Sequence, residues 1–202
     1  MLRGLLVKDA VVLFRQLKLF FIILIGFAIF QNEATNGFAL MYVTMLPITA
    51  LAFDEQSRWG TYAQMMPYRI KDIVLSKYLI GMIGAGFIGT IEIVSSAVFM
   101  LAQGDGLQPL TEKLLAVLLV FCCSLILMSI NLPVIFKMGA EKGRIVYILI
   151  TVLLALLVVQ STESAFWKFN PKIYSVAGVC ITILAVMVSM GISMKIYRKK
   201  YQ

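Results

Sequence analysis

Apolar residues along this chain gather into long runs separated by short polar connectors, with neither the period-two alternation of strands nor extended soluble stretches. A helix that crosses a bilayer needs ~20 mostly apolar residues. Six runs qualify or nearly so, at about 19–31, 37–53, 79–102, 114–136, 145–160 and 173–194. The pattern therefore predicts an all-α integral membrane protein in which residues 1–202 form a single transmembrane domain. Two segments outside the runs are patterned as well. Residues 1–18 place Leu2, Leu6, Ala10, Leu13 and Leu17 on one helical face and displace Lys8, Arg15 and Lys18 from it, as in a helix lying in the membrane surface. The longest connector, 54–77, sets Trp59, Tyr62 and Met66 at helical spacing beside Asp54, Glu55 and Arg58, until Pro67 breaks the run.

Charge orients the chain. With six spans and both ends inside, 15 basic residues fall on the cytoplasmic side: Arg3, Lys8, Arg15, Lys18, Arg58, Arg69, Lys71, Lys77, Lys137, Lys142, Arg144, Lys195, Arg198, Lys199 and Lys200. Only Lys113, Lys168 and Lys172 fall outside, a strong positive-inside bias. Were the short first run not a span, the balance would become 7 inside against 11 outside, so six spans is the better expectation. The outer connectors QNEATN, QGDGLQPLTEK and STESAFWKFNPK are small, and Phe166, Trp167 and Phe169 in the last suit an interfacial aromatic belt. No small-residue cleavage site follows a compact apolar region near the start, so residues 1–18 are expected to remain in the mature protein.

Composition narrows the chemistry. Of 202 residues 61% are hydrophobic and 14% charged, and there is no histidine, which removes the commonest general base and metal ligand. The net charge of +8 sits in connectors between apolar runs and is read as a topology signal rather than as a nucleic-acid surface. Cys122, Cys123 and Cys180 lie inside apolar runs and are expected to act as small hydrophobes, without a disulfide or a metal. There is no phosphate loop, no nucleophile elbow and no zinc-protease motif, so no catalysis and no bound cofactor is expected in this chain. The string GAGFIG from Gly84 to Gly89 matches a dinucleotide pattern formally but lies within an apolar span, where Gly81, Gly84, Ala85 and Gly89 offer surfaces for close helix packing.

Two polar residues within spans invite function. Glu92 lies ~21 Å along a helix counted from Tyr78, where a carboxylate must face protein or water. It is open to two roles, a proton or substrate contact or a hydrogen bond between helices. Asn131 stands close to Pro133, and Pro47 and Pro133 mark expected kinks. Two roles are likewise open to Trp59 and Tyr62: docking on a soluble partner, or resting among lipid headgroups.

The stretch FDEQSRWGTYAQMMPYRIKDIVLSKYLIG, with its acidic pair, tryptophan, proline, arginine and lysine-tyrosine, resembles the loop after the second span in small permease subunits of bacterial type-2 ABC exporters, of the type V exporter fold. NLPVIFKMGAEKGRIVYILI is similar to that family's link between spans four and five, and MLRGLLVKD to its amphipathic start. The resemblance implies an elbow helix over 1–18 and a coupling helix over Asp54 to Met66 that sits on an ATPase, with Pro67, Arg69 and Asp72 shaping the turn into span three. It implies a second, smaller contact from Gly139 through Glu141 to Arg144. It also implies a separate ABC ATPase subunit that holds ATP and magnesium, a second permease copy or paralogue, and a place in the bacterial cytoplasmic membrane exporting peptides, lipids or drugs. A gradient-driven carrier or channel using Glu92, or a membrane immunity or substrate-binding subunit, is the alternative.

Overall fold

The computed structural model describes residues 2–29, 38–66, 68–103, 108–161 and 171–201. Within them the chain is helical: α1 (Leu2–Gln16), α2 (Lys18–Ile29), α3 (Phe38–Val43), α4 (Leu46–Gln56), α5 (Trp59–Met65), α6 (Ile70–Gln103), α7 (Gln108–Met138), α8 (Ala140–Ser161) and α9 (Pro171–Tyr201). Helices are what long apolar runs can form in lipid, because each backbone donor then finds its acceptor within the segment. Among the described residues, four stretches are long and apolar enough to cross a membrane: Phe38–Gln56, Ile70–Phe99, Leu114–Met138 and Ala177–Lys199. They match the second, third, fourth and sixth expected spans. The first falls in α2, which with α1 makes a fifth crossing if the bent pair is counted as one. The fifth lies in α8, whose side chains past Leu153 are outside the described residues, as are Pro67 and the connector aromatics Phe166, Trp167 and Phe169.

Helix α6 is the centre of the bundle, packing on α1, α2, α3, α4, α7 and α9, while α7 packs most extensively on α9. Small residues let α6 approach its neighbours. A side chain at Gly81 would collide with Met128 and Pro47, one at Gly84 would press on Leu46 and Val43, and Ala85 is fully buried.

The second crossing is broken between α3 and α4, just before Pro47, which has no N–H to offer the helix. The Met45 N–H turns to the Tyr42 carbonyl at 3.0 Å. The Met41 carbonyl is taken instead by two hydroxyls, Thr44 Oγ1 at 2.6 Å and Tyr147 Oη at 2.7 Å. The break thereby fastens α8 to the α3–α4 stretch through the Met41 carbonyl.

Helices α1 and α2 meet at 85° around Leu17, with Phe14 stacked on Phe21 at 4.7 Å. The buried side of α1 differs from the expected face. Leu5, Asp9 and Leu13 are buried, whereas Leu2, Leu6, Ala10 and Leu17 are only half-buried and Val7, Val11 and Phe14 are exposed. The reason is electrostatic: α1 carries apolar residues on more than one side, and it turns inward the side whose carboxylate has a cation waiting.

Candidate functional site

Asp9 meets Lys77 in the interior, both side chains being 2% exposed. Lys77 Nζ donates to Asp9 Oδ2 at 2.6 Å and to Asp54 Oδ2 at 2.5 Å. Lys8 Nζ lies 2.9 Å from Asp9 Oδ1 and 2.6 Å from Asp54 Oδ1. Two ammonium groups and two carboxylates thus alternate in a closed, neutral ring drawn from α1, the end of α4 and the start of α6. Desolvating four charges is costly, and the ring offsets that cost by giving each charge two opposite neighbours; removing one member leaves the remaining three with one charge uncompensated, at about 3–5 kcal/mol. Lys8 has a further contact. Its ammonium stands 4.2 Å from the centroid of the Trp59 ring, a cation–π pair that brings α5 onto the same cluster.

Helix α5 follows a sharp reversal at Arg58, whose φ of 52° is left-handed. The structure divides the aromatic and apolar residues of this segment. Trp59 is half-buried against the core beneath Lys8, whereas Tyr62, Met65 and Met66 are 56%, 79% and 41% exposed. Trp59 is therefore the anchor, and Tyr62 with the two methionines forms the outward face. Beyond Pro67, the Arg69 carbonyl accepts from the Asp72 N–H at 2.9 Å and opens α6, with Asp72 in the first turn where the helix dipole favours a carboxylate.

The link between α7 and α8 is drawn to the same end of the bundle. Gly139 adopts φ 90°, a conformation that suits glycine and lets α7 stop and α8 begin within one residue. The Ala140 N–H, free at the start of α8, donates to Glu55 Oε2 at 2.8 Å. Between the end of α4 and residues 138–144 lies a cleft of about 620 Å³ lined by Gln56, Glu141, Lys142 and Arg144 among others. The end of α4 and the residues from Gly139 to Arg144, separate in the sequence, are thus joined through Glu55.

The intramembrane polar residues stand apart from this cluster. Glu92 is 2% exposed and is hydrogen-bonded by the backbone of Leu40, in the first turn of α3 where N–H groups lack helical acceptors. Ser96 Oγ donates to the Glu92 carbonyl at 2.7 Å, and Ser95 Oγ joins the Glu92 and Ala28 carbonyls. Asn131 is fully buried, with Nδ2 donating to the Leu127 carbonyl at 2.8 Å.

Sequence reasoning named Asp54 and Trp59 but missed Lys8, Asp9 and Lys77, which complete their surroundings. A signal was present. Asp9 interrupts the Leu5–Leu13 face at four-residue spacing, and a lone carboxylate on an apolar stripe requires a cation from elsewhere.

No curated protein and no solved structure matches the chain. A family model described as ABC-2 family transporter protein matches residues 4–198, and over that nearly complete length the chain belongs to the family, as a type-2 ABC transporter permease subunit.

Proposed function

We propose that this chain is the membrane half of an ATP-driven exporter. Its six spans, with both ends in the cytoplasm, pair with a second copy or a paralogue to line a path for an amphipathic peptide, lipid or drug across the bacterial cytoplasmic membrane. The permeases of this family associate with an ABC ATPase in the membrane. ATP and magnesium belong to that partner, and this chain contributes the surface on which it sits.

The observation that carries the proposal is the presentation of α5. A seven-residue helix has little stability alone, yet this one is fixed to the bundle by Trp59 and left with Tyr62, Met65 and Met66 exposed. The adjoining cleft between α4 and α8 extends the same surface with Glu141 and Arg144. An aromatic and flexible thioether side chains in front of a polar rim suit docking on a soluble protein. Nucleotide-driven closure of two ATPase subunits then pulls the cytoplasmic ends of two permeases together, an equilibrium biased by differential contacts in the two states.

The test is made on the complex purified in mild detergent. A subunit with a phosphate loop should co-purify, and Tyr62→Ala should abolish stimulation of its ATPase while leaving membrane insertion intact. Unchanged stimulation would overturn the docking role. Transport that persists without any ATPase and is lost in Glu92→Gln would replace the proposal with a gradient-driven carrier.

A further inference from the structure

Lys77 and Tyr78 are consecutive residues of α6, so their side chains leave the helix ~100° apart and reach different neighbours. Lys77 holds α1 and α4 and, through the ring, Lys8 and Trp59. Tyr78, 1% exposed, turns toward α9, where its hydroxyl lies 2.5 Å from Ser189 Oγ and 2.9 Å from Ser193 Oγ.

Ser189 carries the connection on to α7, since its hydroxyl donates to the Ser129 carbonyl. In an unbroken helix that carbonyl would accept from the N–H of residue 133. Residue 133 is proline, inside α7, and has none to give. The vacancy that Pro133 opens in α7 is thus filled from α9 by a serine that is itself bonded to Tyr78. Past the proline, Phe136 packs edge-on against Tyr197 of α9 at 5.8 Å, tying the short arm of α7 to the same helix. Near the proline, Ser129 Oγ and Asn131 Oδ1 are buried and find no hydrogen-bond partner among the described residues. Buried polar groups left unsatisfied beside a proline inside a helix have partners to gain in another arrangement, and a helix-interior proline is where a helix bends most readily.

We propose that Lys77 and Tyr78 are a positioning pair that converts displacement of the α5 segment into a bending of α7 at Pro133. Lys77 receives the displacement through the charge ring, α6 transmits it as a rigid helix, and Tyr78 delivers it through Ser189 to the Ser129 carbonyl. The relay rests on the docking role of α5 proposed above.

Spin labels at Lys137, past Pro133 on α7, and at Lys195 on α9, both exposed, report the movement. Cys122, Cys123 and Cys180 are first replaced by alanine, and the complex with its ATPase is placed in lipid nanodiscs. The label distance is measured without nucleotide and with ATP and vanadate. The parent complex should show a nucleotide-dependent shift, which Tyr78→Phe and Ser189→Ala should each lose while the complex still assembles. Ser193→Ala should keep it, because Ser193 bonds Tyr78 without reaching α7. A parent complex with no shift, a full shift in Tyr78→Phe, or equal losses in Ser189→Ala and Ser193→Ala would overturn the relay. Tyr62→Ala separates the two proposals. If it abolishes ATPase stimulation while Tyr78→Phe retains the distance change, docking stands and the relay fails; if stimulation survives Tyr62→Ala, docking fails.

Discussion

Helix α6 buries two ionisable side chains about four turns apart and satisfies them differently. At its start, Lys77 is balanced by two aspartates from other segments, and Lys8 closes the set. Some four turns further on, Glu92 has the Leu40 backbone at the head of α3. The first solution needs several full charges held at fixed distances, so it is sensitive to the loss of any one. The second uses a hydrogen-bond donor supplied by a helix end, which a neutral acceptor of the same shape could meet as well. Buried charge at the start of α6 therefore ties segments together, whereas the Glu92 carboxyl accepts from the beginning of a short helix.

Substitutions can break or sharpen that contrast. The largest effect is expected for Lys77→Met, which leaves Asp9 and Asp54 to share Lys8 alone, one buried charge uncompensated, and should lower stability by about 3–5 kcal/mol. Thermal unfolding in detergent, followed by tryptophan fluorescence, checks this; a midpoint within a degree of the parent would mean that the ring carries no stability. Asp9→Asn keeps the side-chain shape and removes one charge, so a loss of about 1.5–3 kcal/mol is expected in the same assay. Adding Asp9→Asn to Lys77→Met should then cost less than the two separate losses combined, since both act on one network. The smallest effect belongs to Glu92→Gln, whose amide oxygen still accepts from Leu40, with an expected change below about 1 kcal/mol and nucleotide-dependent transport retained. A loss at Glu92→Gln as large as that of Asp9→Asn would erase the distinction between the two sites on α6.

Four of the expected spans were legible because length and apolarity are local properties, and Pro47 announced the break between α3 and α4 because a missing N–H is a local defect, whereas Pro133 lies inside the continuous helix α7. Trp59, Tyr62 and Met66 were legible as a group through their helical spacing, but not the division of labour among them. Which aromatic anchors and which faces outward depends on Lys8, 51 residues earlier in the chain.

What the sequence determined by itself, then, is an all-helical, multi-pass membrane chain with a patterned loop after the second apolar run and no fuel-handling motif of its own. Periodicity, run length and absent residue types are enough for that. Only the tertiary structure decided which side of α1 turns inward, that Glu55 joins two distant connectors, and that Tyr78 and Pro133 meet through α9. Each of these is a pairing of a polar group with a partner far along the chain. Such pairings are set by where helices cross, which no local pattern encodes.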